Sequence, residues 1–355
     1  MRKLRFVAIL MAMALVAAAC VGSTTEEETE STGVNPEATT ETVPDDDDAQ
    51  SPAGETTSAA TAEAPADGLA LPDSPRPFQF NSDDLPASFG EAPMLAEQVS
   101  AGTLPPVDER LPVNPPVVVG FEETIGTYGG NILTNLWDLP LWWLVSRQIA
   151  HADLVRQQGG NSGIFEADMA ERWETNDDAS EWTFYLREGL KWSDGMPFTT
   201  ADIEFWYENV LLNEELMPTV PTYLSPGGEV MTLEVLDETT FTLTFVQPHP
   251  LFLLGVTQGT GMDVSVNFDD WSMQPKHYME QFLPDAEGLD ARIADAGVAS
   301  WPELFRLETD PNTASEGRPY MWAWTPDGPI GADGRWTFTR NPYFYKVDAE
   351  GNQLP

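Results

Sequence analysis

Cysteine occurs once in this chain of 355 residues, histidine three times and lysine four times. The single thiol, Cys20, has no partner for an internal disulfide, so the fold must rest on its apolar core alone. His151, His249 and His277 are scattered without the spacing that metal ligation needs, and neither a metal nor another cofactor is expected. Gly-x-Ser-x-Gly, His-Glu-x-x-His and the Walker loop are all missing. Their absence removes the usual sequence signs of an α/β-hydrolase, a zinc protease and a nucleotide-hydrolysing site. Cations are few: 17 Lys and Arg against 58 Asp and Glu give a formal net charge of -41. Such a chain repels nucleic acid and anionic lipid, so neither is expected as a ligand. The preference for arginine over lysine fits a saline habitat or a GC-rich genome, and the sequence does not choose between them.

What is present begins with a targeting segment. Arg2, Lys3 and Arg5 form a basic start, and residues 6–16 an apolar core too short to span a membrane. Ala17, Ala18 and Ala19 then precede Cys20. The arrangement resembles a bacterial lipobox, with Ala17 where Leu is usual. It implies a signal peptide over residues 1–19 and acylation of the Cys20 thiol, giving a lipid anchor to the cell membrane. Residues 23–75 contain no Lys or Arg and almost no large apolar side chain. Such a composition cannot offset its ordering entropy, so 20–77 is expected to be a disordered acidic linker. Prolines 105, 106, 112, 115 and 116 then favour extended chain outside any sheet interior. Residues 78–116 are read as a Pro-rich strap with one short helix over 92–101.

The densest local information lies between Phe165 and Glu208. Trp182 to Leu186 is aromatic and β-branched, as a strand should be. Trp192-Ser193-Asp194-Gly195 supplies a turn, with Gly195 free to take positive φ. Thr199 is a good N-cap with Asp202 as its reciprocal partner, and Phe198 and Ile203 are placed for a hydrophobic staple. Ile203, Trp206, Tyr207, Val210 and Leu211 follow at helical spacing. Met169-Ala170-Glu171-Arg172-Trp173, Thr183 to Arg187, Gly189, Lys191, Trp192, Asp194, Gly195, Pro197 to Thr199 and Asp202 run in order. Together they resemble the signature region of the family 5 extracellular solute-binding proteins, receptors of peptide-type ABC importers. Further landmarks are similar to that family: Tyr128-Gly129-Gly130, Gln247 to Phe252, Met273 to Tyr278, and Arg340-Asn341-Pro342-Tyr343-Phe344-Tyr345-Lys346.

The resemblance implies an α/β, type II periplasmic-binding-protein-like fold with two lobes. Strands are expected at 117–119, 128–133, 182–186, 233–236 and 241–245. Lobe I would open over 117–163, a second, inserted domain would occupy 164–255, and lobe I would continue over 256–355. In the family the Arg-Asn-Pro landmark precedes a further large domain, so that domain is expected to be missing from the sequence in hand.

A solute receptor needs a cleft rather than a nucleophile. Trp173, Trp182, Trp192 and Trp206 read as core. Trp137, Trp142 and Trp143 fall in an Asn/Asp/Pro-containing stretch, where the family brings chain to the cleft between lobes. A flat indole there could stack on a sugar or a peptide side chain, with Asn135 and Asp138 as hydrogen-bonding neighbours. Trp322 and Trp324 carry the same two readings. The expected partners are a small solute (an oligopeptide, an oligosaccharide or another), an ABC permease in the membrane, and the membrane itself through the lipid. The expected location is extracytoplasmic, in a periplasm or on the outer face of the cytoplasmic membrane. The competing reading is an exported envelope lipoprotein hydrolase. Adjacent carboxylates such as Asp177-Asp178 and Asp269-Asp270 are its only support, and neighbours on a turn rarely face one reacting bond.

Overall fold

A computed structural model describes residues 79–81, 85–119, 125–131, 152–157, 163–257, 274–310, 313, 315–329 and 334–355. All of them lie within one unit, Ala70–Pro355. The leader is assembled from pieces too short to stand alone. β1 (Gln79–Asn81) is followed by a 3-10 turn at Pro93–Leu95 that runs into α1 (Ala96–Ser100), where the sequence predicts its helix. After α2 (Val107–Arg110) comes β2 (Val117–Val119), which pairs antiparallel with β1. Between α2 and β2 the proline-rich chain meets residues of the motif region: Val113 N–H donates to the Glu188 carbonyl at 2.9 Å. Leu104, Val107 and Leu111 turn inward and are buried.

One expected strand is not formed. Residues 128–131 carry no strand, because Gly129 and Gly130 take φ of 140° and 74°, outside the extended region. The glycine pair bends the chain here instead of pairing it. Ile132 and Leu133 lie outside the described residues.

The motif region folds as its pattern dictates. β3 (Val155–Gln157) pairs antiparallel with β4 (Phe165–Ala167). β5 (Ala170–Thr175) then pairs with β6 (Glu181–Leu186). The capping box forms as read: Thr199 Oγ1 accepts from Ala201 N, and Asp202 Oδ2 accepts from Thr199 N at 3.0 Å, opening α3 (Thr200–Trp206). Phe198 and Ile203 are both buried. A single π-helical turn, Tyr207–Leu211, extends α3 and buries Val210 and Leu211 on the expected face.

β7 (Thr232–Val235) and β8 (Thr240–Thr244) complete an antiparallel sheet in the order β5-β6-β8-β7. Phe184 and Phe241 are register partners and stack at 5.3 Å between ring centroids. Phe252, at the start of α4 (Phe252–Thr257), meets the Phe184 ring edge-on at 6.3 Å.

The remaining elements cover this unit. They are α5 (Lys276–Met279), α6 (Leu289–Ala296), α7 (Trp301–Thr309), the hairpin pair β9 (Trp324–Pro326) and β10 (Phe338–Arg340), and β11 (Val347–Asp348). β11 joins the leader in parallel, with Val347 opposite Val117. One apolar core runs from Ala152 through the motif sheet to Tyr345. A small second one joins Val107, Leu111, Val117 and Val347.

Candidate functional site

The ligand residues expected from sequence, Asn135, Trp137, Asp138, Trp142 and Trp143, lie outside the described residues, as do His151 and the lipidation residue Cys20. The chain on either side of residues 132–151 is described. On one side, Tyr128 Oη donates to the Gln353 carbonyl at 2.8 Å, and the Arg340 guanidinium lies 5.1 Å from its ring centroid. On the other, Leu154 and Val155 are buried, and the Asp153 and Leu154 carbonyls accept from Met169 N and Ala170 N at 3.0 and 2.9 Å.

Each side belongs to a buried polar centre. In the first, Asp168 is fully buried where β4 gives way to β5. Its Oδ2 accepts from Lys346 Nζ at 2.7 Å and its Oδ1 from Tyr345 Oη at 2.8 Å. Its backbone carbonyl accepts from Arg187 Nε at 2.6 Å, while Arg187 also reaches the Asn114 carbonyl at 2.5 Å. Burial, reinforced by the Asp168 charge, drives the Tyr345 hydroxyl well above its ordinary pKa, so it stays protonated and can donate to Asp168. Burial lowers the pKa of the Arg187 guanidinium, and Asp168 and Glu171 oppose that shift.

The second centre is organised around Gln353, which is fully buried. Its Nε2 donates to the Pro342 and Phe344 carbonyls at 2.9 and 2.8 Å, and its Oε1 accepts from Arg110 at 3.0 Å. Its backbone carbonyl accepts from Tyr128 and Arg340. Arg110, also fully buried, pairs with Glu91 and donates to the Pro105 and Pro342 carbonyls. These hydrogen bonds fasten the strap to residues 340–353.

The signature turn is fixed in a third place. Gly195 takes φ of 89°, and a Cβ there would stand 2.8 Å from the Tyr343 ring, so both backbone and space demand glycine. Ser193 N donates to the Tyr320 carbonyl, and Tyr320 N donates to Ser193 Oγ, each at 2.9 Å. His277 Nε2 and Asp194 Oδ2 are 2.8 Å apart, and Asp202 Oδ1 accepts from Lys276 N at 3.0 Å. Burial is the main cause that raises the Asp202 pKa, against these hydrogen bonds.

The tryptophans divide as follows. Trp182, Trp192 and Trp206 are buried, and Trp173 packs half-buried against the same core, in agreement with a structural role. Trp322 is buried beneath Tyr320, at 4.4 Å between ring centroids, which decides between its two readings in favour of the core. Trp324 is half-buried in β9. His249 is structural too: its Nε2 donates to the Tyr223 carbonyl at 3.0 Å, between the rings of Phe245 and Phe252. Asp177 and Asp178 stand exposed on the β5–β6 turn, where the Asp178 carboxylate accepts from Ser180. No three His, Cys, Asp or Glu side chains converge on a metal site among the described residues. No described helix is long and apolar enough to cross a membrane.

Sequence reasoning passed over Asp168, Lys346, Gln353 and Arg110. A charged residue inside an apolar, proline-rich leader is the one signal that could have singled out Arg110. The partners of the other three stand far from them in sequence.

Residues 165–283 match the model of bacterial extracellular solute-binding proteins, family 5, middle portion. The periplasmic alpha-galactoside-binding protein of Rhizobium meliloti (strain 1021) is 29% identical over 280 residues, 72% of this chain and 36% of that protein. A solved oligopeptide-binding protein OppA superposes with a TM-score of 0.65 at 32% identity, over 76% of this chain and 40% of its own. MelB of Agrobacterium fabrum C58, solved with stachyose, shares the fold with a TM-score of 0.57 at 23% identity, over 78% of this chain and 40% of its own. The chain thus spans well under half the length of these relatives. Residues 165–283 carry the middle portion of the family 5 pattern, and the described residues are built as part of the two-lobe fold of these solute-binding proteins.

Proposed function

We propose that this chain belongs to the extracytoplasmic receptor of an ABC importer, which captures a solute between two lobes and delivers it to a membrane permease. The observation that carries the reading is the similarity to an alpha-galactoside-binding protein over 280 residues, together with the family 5 match at residues 165–283. An oligosaccharide is the first ligand class to test, because a cleft lined by Trp137, Trp142 and Trp143 would offer stacking faces to sugar rings. Asn135 and Asp138 would bond its hydroxyls. A peptide is the second class, favoured by 32% identity to a solved oligopeptide-binding protein. A thioether and acyl chains on Cys20 would hold the receptor at the membrane, with residues 20–77 as its tether. The domain division is proposed as read from sequence, with residues 164–255 as the inserted domain.

Thermal unfolding of the full chain with stachyose, raffinose or a tetrapeptide at millimolar concentration tests the reading. A ligand that binds only the folded state raises Tm saturably and is recovered unchanged. The Trp142→Ala and Trp143→Ala variants should lose that shift while keeping the unliganded Tm. Consumption of the ligand would transfer the chain to the hydrolase reading, and no shift with any class would overturn the receptor. Metabolic labelling with a radioactive fatty acid, lost in Cys20→Ser, checks the anchor.

A further inference from the structure

Positive charge has been withdrawn from the described surface. Arg110, Arg187, Arg340 and Lys346 are buried in the polar centres, and of the other described cations only Arg172, Lys276 and Arg335 are exposed. Facing those 3 are 28 exposed Asp and Glu side chains among the described residues. They crowd locally: Asp177, Asp178 and Glu181 at the β5–β6 turn, and Glu234, Asp237 and Glu238 at the β7–β8 turn. Hydrogen bonds from Ser180 and Thr239 hold the Asp178 and Asp237 carboxyls below their ordinary range, so both stay charged well below neutral pH. One of the few exposed cations, Arg172, is already engaged by Glu174 and the Tyr185 ring. Folding therefore compresses like charges that the unfolded chain keeps apart.

We propose that the folded state depends on a diffuse atmosphere of small cations, making this a salt-stabilised domain. The inference is independent of the ligand. The cations act by screening, because the Debye length falls from about 30 Å at 0.01 M salt to about 3 Å at 1 M. No discrete metal site of three carboxylates or histidines is present among the described residues to do the same work. Burying the arginines and Lys346 supplies donors to buried acceptors such as Asp168 and Gln353, and it leaves few cations at the surface to face the exposed carboxylates.

The test is thermal unfolding of the full chain between 0.01 and 1 M NaCl, repeated in KCl and in tetramethylammonium chloride. Tm is expected to rise by roughly 5–10 °C, equally in the three salts and mostly below about 0.3 M. If the chain is unfolded at the lowest salt, recovery of its near-ultraviolet circular dichroism on adding salt is the same result. A Glu208→Gln, Glu214→Gln, Glu234→Gln, Glu238→Gln variant should start at a higher Tm in low salt and show a shallower rise. A flat Tm below 0.3 M overturns the proposal. So does a rise that sucrose reproduces and that never saturates, since exclusion from the surface would explain it. Saturation by a divalent ion at one equivalent would replace the atmosphere with a bound ion and overturn it as well.

Discussion

The motif sheet and the strap are held together by opposite means. In β5 to β8 the chain is local and apolar, with Phe184, Phe241 and Leu243 meeting across register partners and α3 capped by its own Thr199 and Asp202. In the strap, elements of three to five residues have little core of their own. Gln353 and Arg110, 243 positions apart, hold the strap through hydrogen bonds to carbonyls. Repetition of apolar residues makes the first region tolerant, because any one contact is a small part of many. The second depends on a few groups, each of which leaves an unpaired buried partner when removed.

The largest expected effect breaks the link between the two. Asp168→Ala strands the Lys346 ammonium in the interior and should cost about 3–5 kcal/mol in urea unfolding. The double variant Asp168→Leu, Lys346→Met should recover most of that loss, because it removes both charges. A single-variant cost below 1 kcal/mol would mean that water reaches the centre.

Next, Gln353→Ala leaves the Phe344 carbonyl without its donor and removes one of two hydrogen bonds from Arg110 Nη1 and from the Pro342 carbonyl, and should cost about 2–3 kcal/mol. Amide exchange should then accelerate over residues 92–114 and stay unchanged in α3. Uniform acceleration would erase the contrast between the two regions. Within the motif unit, Thr199→Ala should cost about 1 kcal/mol by loss of the cap. Ala179 has φ of 57°, a left-handed conformation that Ala adopts at a penalty, so Ala179→Gly should gain about 0.5 kcal/mol in the same assay.

The smallest effect is electrostatic. Burial lowers the His249 pKa below its ordinary 6.5, against the hydrogen bond to Tyr223. The unfolded chain then takes up a proton before the folded one does. Its contribution to stability is complete above pH 6.5 and declines as the pH falls from there toward the lowered folded value. His249→Gln should flatten the urea midpoint of the full chain between pH 7.5 and 5.5, and an unchanged slope would remove His249 as the cause.

Much of the motif unit was legible because its causes are close in sequence. The aromatic and β-branched run over 182–186, the N-cap at Thr199 and the glycine of the Trp-Ser-Asp-Gly turn each act within a few residues of themselves. The strand expected at 128–133 failed over the described 128–131 for a reason equally local: Gly129 and Gly130 were free to leave the extended region, and they do. The two readings of Trp322, core or cleft, stayed open because tryptophan pattern does not encode depth. Its burial depends on Tyr320, which Ser193 holds from 127 positions away.

The sequence by itself determined the likeness to a family, through an ordered motif, and determined the charge, because composition is independent of conformation. It determined the local units wherever a cap, a turn or an alternation fixes φ and ψ within a handful of residues. Only the tertiary structure decided where the scarce cations go. Asp168 meets Lys346, and Arg110 meets Gln353, across separations at which a sequence carries no periodicity, and the choice is made by desolvation: a charge enters the interior only where the fold supplies its partner.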